Sequence, residues 1–297
     1  EKNDQGIVGV AYDATLSGFS NNDANLNQMQ HYDVVNHSWS KFSKSYVDVI
    51  DFNDLQSSYK EAISYGRNGL GSIIVKSAGN GRTEGHNTNY HSMSNTRSTI
   101  TVGAINLQND VSTLQRSNEP FSTPGANILV SAPGADILST DFQEKGGTND
   151  YKRASGTSLS APIVAGVVAL ILEANPRLGF RDVQAILALT ARRDIVEDEK
   201  INFRTVWQTN ASKAWNGGGM HISHDYGYGQ VDALAAVHLA ENWMVSPQTE
   251  ANVRRFAVPV ISPTLNRAIP HGQTAGITES LSVEDNDIQI EHVEVRI

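Results

Sequence analysis

The chain of 297 residues contains no cysteine. That excludes disulfides, thiolate metal sites and a cysteine nucleophile, and it leaves the redox compartment open. No apolar run reaches membrane-spanning length; the longest, residues 161–172, is too short. No signal peptide stands at Glu1. The chain opens instead on EKNDQGIVGVAYDA, a loop entering a strand, so we expect it to be part of a longer protein. Basic residues are in deficit, with Lys+Arg 23 against Asp+Glu 32 and a formal charge of −9. The balance argues against a nucleic-acid partner and fits a calcium-binding or cation-attracting surface, or simply the surface of a soluble acidic protein.

What is present suits a globular protein. Hydrophobic residues make up 39% and there are 24 glycines, which fits a packed core joined by many tight turns. The length allows one sizeable α/β core with an appendage, or two domains. Strands are expected at GIVGVAYDATLSGF (6–19), DVVNHSW (33–39), GSIIVKSAGN (71–80) and STITVGAI (98–105). Helices are expected at 26–31, at 55–67, from about Ser158, and in FRDVQAILALTARR (180–193) and VDALAAVHLAENW (231–243). Alternation of the two implies a mostly parallel sheet covered on both faces. After residue 244 the polar MVSPQTEANVRR reads as a linker over 245–256. Residues 257–297 then show short alternating segments, read as the start of an all-β domain.

One stretch, SGTSLSAPIVAGVVALILEANP, sets a hydroxyl at the mouth of an apolar helix. Apolar residues run all round the helix from 163 to 172, which places it inside the core. Pro162 is tolerated only in the first turn, so the helix starts near Ser158. There the backbone N–H groups are unpaired and the helix dipole is positive. Position alone makes Ser158 an ordinary N-cap.

Its surroundings carry more. GTSLSAP (156–162), SAGN (77–80) and NHSWS (36–40) occur in an order and setting that resembles the subtilisin-like serine proteases. The segments WQTNASKAW, SHDYGYGQVDALAAVHLAENW and AIPHGQTAGITESLSVED further resemble the kexin/furin branch. The resemblance implies a three-layer α/β subtilisin-like fold followed by a partial, jelly-roll-like P domain. It implies Ser158 as nucleophile and Asn80 as oxyanion donor. Ser38, Trp39 and Ser40 on one side, Ser77, Ala78 and Gly79 on the other, and Thr157 at the helix mouth would bind extended polypeptide. It implies a structural calcium with donors from Asn3, Gln5 and Ile7, three oxygens of the six to eight that calcium takes. A propeptide or inhibitor is a further expected partner, and the protein is expected to be monomeric and secreted or cell-surface.

A serine hydroxyl needs a base, and the base an orienting carboxylate. In the resembled family the order is Asp, His, Ser, with both earlier groups ahead of the segment matching Glu1, so neither is expected within these residues. Three stretches imitate them, VDVIDFND (47–54), GHNT (85–88) and HGQT (271–274), and each is read as structural from its place in the order. His224 is read as a turn residue. The expectation is a protease fragment unable to hydrolyse peptides efficiently alone; the alternative is a non-catalytic peptide-binding relative. An α/β-hydrolase is disfavoured because G-T-S-L-S is not a G-x-S-x-G elbow. Where dibasic-cleaving relatives carry acidic pocket residues this chain has Ser43 and His91; Asp48, Asp51, Asp54 and Glu84 are near enough in sequence for a shifted loop to compensate.

Overall fold

The computed structural model describes residues 6–20, 26–39, 52–108, 111–113, 115–116, 119–141, 151–193, 207–209 and 219–255. Its centre is a parallel sheet of β1 (Val34–His37), β2 (Ile73–Ser77), β3 (Thr99–Gln108) and, past the short antiparallel β4 (Val111–Thr113) at the end of β3, β5 (Ile128–Pro133). β2 is buried along its whole length, as a strand covered on both faces requires. The strands are rich in Val, Ile and Thr, which suit a pleated, packed surface. An antiparallel hairpin, β6 (Ile137–Thr140) with β7 (Tyr151–Ala154), leads into the long helix.

Helix α1 (Phe52–Tyr65) precedes β2, and α2 (Thr157–Ala174) runs against β1, β2, β3 and β5. α3 (Phe180–Thr190) and α4 (Ala233–Glu241) follow it and pack on one another. Parallel partners share a face of the sheet, so His37 and Lys76 point the same way. On that face the ring of Tyr59 from α1 lies 5.9 Å from that of His37, and Met29 approaches its Nε2 at 3.3 Å.

The structure departs from the sequence reading at four places. Residues 6–19 form no strand; Val8 is 56% and Leu16 91% exposed. Alternating apolar residues make a strand only when a neighbour offers an edge. Here Val10 and Ala11 lie instead over Gly166, whose missing side chain leaves them room. The expected helix at 26–31 is a 3-10 turn over Asn27–His31. α2 is not buried all round: Val164, Val167, Val168 and Ile171 are in the core, but Pro162 is exposed and Ile163, Ala165, Gly166, Ala169 and Leu170 are half-buried. By length and composition alone α2 would span a bilayer; its packing makes it a core helix.

The fourth difference concerns the expected linker. Gln248 N–H donates to Asp182 Oδ2 at 2.9 Å, as does Gly179 N–H at 2.8 Å, while Trp243 Nε1 donates to Oδ1 at 3.0 Å. Glu250 takes both bonds from Arg97 Nη2, at 2.7 and 2.8 Å. Residues 248–250 are thus held by the buried Asp182 and the half-buried Arg97, and the chain divides into compact units after Ala251. The β-rich tail over 257–297 lies outside the described residues.

Candidate active site

Parallel strands deliver their C-terminal ends to one edge of a sheet, and the site assembles there. β1 ends at His37, so Ser38 and Trp39 leave the edge together. β2 ends at Ser77 and turns through Ala78, Gly79 and Asn80. The mouth of α2 faces both. Ser158 Oγ donates to Ser38 O at 3.1 Å, and Ser38 Oγ donates to Ser158 O at 2.8 Å. This reciprocal pair ties the helix mouth to the exit of β1 across 120 positions of sequence.

Ser158 is not the N-cap. The cap is Gly156, the helix starts at Thr157, and no side chain caps it. Gly156 is needed for space, because a Cβ there would stand 3.2 Å from Asn80 Nδ2. Thr157 is wholly buried, and its hydroxyl faces inward. Oγ1 accepts from Gly79 N–H at 3.0 Å and donates to Asn80 Oδ1 at 3.0 Å. Asn80 Oδ1 also accepts from Thr157 N–H at 2.9 Å. With its oxygen doubly held, the side chain has its amide nitrogen, a pure donor, left to act on a ligand.

The β2 turn is braced from a second side. Gly79 has φ +100, a conformation glycine adopts without the cost a side chain would meet. Thr123 N–H donates to Gly79 O at 2.9 Å, and Gly81 N–H donates to Thr123 Oγ1 at 3.0 Å. Beyond the turn, Arg82 pairs with Asp225 and donates from Nε to Ser122 O at 2.8 Å. Asp225 belongs to SHDYGYGQV, which lies along β5: Tyr228 N–H bonds Leu129 O and Val231 N–H bonds Ser131 O. Gly227 there has φ +63, and a Cβ would meet Leu129 O at 2.3 Å. His224 contributes its carbonyl to Gly125 N–H at 2.8 Å, a turn contact.

Beneath the walls lies a buried polar group. Lys76 Nζ donates to Trp39 O at 2.6 Å and to Ser77 O at 3.1 Å. The His37 ring is pushed down to about 4, first by burial and then by the Lys76 ammonium, and so stays neutral. It meets the ring of Trp39 edge-on at 5.5 Å. Burial raises the Tyr59 hydroxyl, which has no hydrogen-bond partner among the described residues.

Of the residues singled out in the sequence, Ser38, Trp39, Ser77, Ala78, Gly79, Asn80, Thr157 and Ser158 come together. Ser40, Ser43, Asn3, Gln5, Asp48, Asp51 and His271 lie outside the described residues, as does the side chain of Asp54. Ile7 alone of the expected calcium donors is described, and among the described residues no cluster of three or more His, Asp or Glu could hold a metal. The main-chain N–H of His86 in GHNT donates to Gly81 O at 3.0 Å, while its ring Nε2 sits 3.6 Å from Glu84 and the ring lies 5.8 Å from that of His91. Lys76, Thr123 and Arg82 carry no motif that marks them in advance, and Asp225 lies within SHDYGYGQV with nothing there to show its pairing with Arg82.

Comparison with known proteins bears on the family and the fold. The family profile Peptidase S8, described as the subtilase family, matches residues 1–229. Furin of Rattus norvegicus is 29% identical over 303 residues, covering 98% of this chain and 35% of its own length. Proprotein convertase subtilisin/kexin type 5 of Rattus norvegicus is 28% identical over 311 residues, covering 98% of this chain and 16% of its own. The chain thus spans about a third or less of these curated relatives. Among solved structures, the serine protease of Aeromonas sobria is similar with a TM-score of 0.55 at 24% identity, over 73% of this chain and 44% of that one. That likeness bears on the fold, an α/β architecture around a parallel sheet.

Proposed function

The chain belongs to the subtilase family, and from that premise we propose that it forms the nucleophile-bearing part of a kexin-type serine endopeptidase. The observation that carries this reading is the convergence of Ser158, Ser38, Thr157 and Asn80 at one edge of the sheet. An extended polypeptide would pair with the main chain at Ser38–Trp39–Ser40 on one side and Ser77–Ala78–Gly79 on the other. Ser158 Oγ would attack the scissile carbonyl, forming an O–C bond while its proton passes to a base. The carbonyl oxygen, now negative, would be held by Asn80 Nδ2 and the Ser158 N–H, donors fixed in advance. Thr157 acts in this scheme as a positioning residue, holding Asn80 by its oxygen so that the nitrogen faces the reaction.

No described imidazole contacts Ser158, whose hydroxyl is engaged by a main-chain carbonyl. In this reading the base and its carboxylate come from residues outside these 297, and the chain alone does not hydrolyse peptides efficiently. The same observation favours a second reading, a peptide-binding relative without catalysis. The parent is taken to be secreted or at the cell surface, monomeric, and controlled by a propeptide or inhibitor lying along the same edge. Calcium, by resemblance near Asn3, Gln5 and Ile7, would be structural, and no chemical step passes through it. A fluorophosphonate probe on the full-length parent separates the readings. Covalent labelling of Ser158 supports the protease. Peptide binding without labelling supports the second reading, and Ser158-dependent turnover by this chain alone overturns the claim that it is inactive.

A further inference from the structure

Lys76 is a charged residue where a core strand ordinarily carries an apolar one. It is 2% exposed, and β2 is otherwise Ile, Ile, Val and Ser. A buried ammonium must keep acceptors, and this one takes Trp39 O at 2.6 Å and Ser77 O at 3.1 Å. Trp39 follows Ser38, whose carbonyl receives the Ser158 hydroxyl. Ser77 begins the turn that ends at Asn80. One cation therefore joins the main chain of both walls of the cleft, within a residue of the serine's anchor.

The consequence concerns the substrate. A lysine or arginine side chain entering between these walls would need carboxylates, or failing those the carbonyls at the strand ends, to replace its water. The carbonyls of Trp39 and Ser77 already serve Lys76. At the position where an acid would be expected beyond the oxyanion turn stands His91, whose ring neighbours His86. The field of the ammonium is felt nearby, since it adds to burial in holding His37 neutral.

We infer that Lys76 is a specificity-determining residue, a role that rests on the cleft reading above. It occupies from within the chain the place a substrate cation would take between Trp39 and Ser77, so the cleft accepts peptides whose acyl-side residue is uncharged or acidic and rejects lysine and arginine.

Peptides identical except for a final Gln, Glu or Arg on the acyl side are titrated into the full chain, with binding followed by tryptophan fluorescence and calorimetry. The Arg peptide should bind at least about tenfold more weakly than the Gln peptide, because two like charges within a few ångströms repel. Lys76→Met, close in shape and uncharged, should narrow that gap to about twofold, and Lys76→Arg should keep it. Equal binding of the Arg and Gln peptides to the unaltered chain overturns the inference without any variant, so the test stands even if Lys76→Met fails to fold. A folded Lys76→Met with an unchanged gap overturns it as well. Absence of binding by every peptide overturns the cleft reading and this role together, whereas uniform binding overturns the role of Lys76 alone.

Discussion

Replacing Thr157 by valine keeps the shape of the side chain and removes one oxygen. That oxygen accepts from Gly79 N–H and donates to Asn80 Oδ1, both at 3.0 Å, in a residue with no exposed surface. Thr and Val have similar helix propensities, so the first turn of α2 is little affected. The net loss of the bond to Asn80 costs about 1 kcal/mol, and leaving the partly buried Gly79 N–H without an acceptor costs about 1–2 kcal/mol more. The variant should therefore lose about 2–3 kcal/mol, seen as a lower urea midpoint at unchanged slope by circular dichroism. Thr157→Ser is the control, since it keeps the hydroxyl and gives up one methyl, for about 1 kcal/mol. A Thr157→Val chain within about 0.5 kcal/mol of the original, or a serine variant as damaged as the valine one, would refute the reasoning. In the active parent the same change should lower kcat more than it raises KM, because Asn80 acts on the transition state and not on the bound peptide.

Three further outcomes are expected. His37 has a folded pKa of about 4 against 6.5, so the unfolded chain takes up protons first as pH falls; stability is complete above pH 6.5 and declines toward pH 4. The decline should be about 3 kcal/mol in urea midpoints across that window, and His37→Gln should flatten it; an unchanged slope in the variant counts against a neutral buried ring. Asp182, 1% exposed, holds Gly179 N–H, Gln248 N–H and Trp243 Nε1, so Asp182→Ala should cost more than about 3 kcal/mol and shift Trp243 emission to the red in mild denaturant. Native-like emission and midpoint would contradict that anchoring role. Calcium at 100 times its dissociation constant should stabilise the chain by about 2.7 kcal/mol, and identical melting with calcium or chelator would remove the ion from the proposal.

The candidate site was legible in the sequence because its parts sit where strands turn into loops and a loop into a helix. NHSWS, SAGN and GTSLSAP each mark such a change, and parallel strands bring their ends to one edge however far apart they are in the chain. Lys76 was not legible: IIVKS reads as a strand whatever the lysine does, and the carbonyls of Trp39 and Ser77 that it bonds meet only once β1 and β2 are paired. Thr123 looks like an ordinary turn residue beside proline, and Thr157, singled out within GTSLSAP as a peptide-binding residue, gives no sign there of its bond to Asn80. The polarity of residues 245–256 reads as a linker, and the bonds of residues 248–250 to Asp182 and Arg97, distant in sequence, are not visible in that pattern. Residues 6–19 carry a strand's alternation without a strand's neighbour, a distinction that depends on tertiary pairing and not on local pattern.

The Arg82–Asp225 pair joins residues 143 positions apart. During vectorial synthesis on a ribosome, the loop beyond Asn80 emerges before Asp225 and lacks that anchor until the intervening residues are translated. The segment from His224 to Val231 arrives late and supplies at once the pair to Arg82 and the main-chain bonds along β5. A nascent chain that already displays both Asn80 and Ser158 is thus still without a finished cleft. The order of translation leaves this edge unbraced until residues 224–231 have joined it.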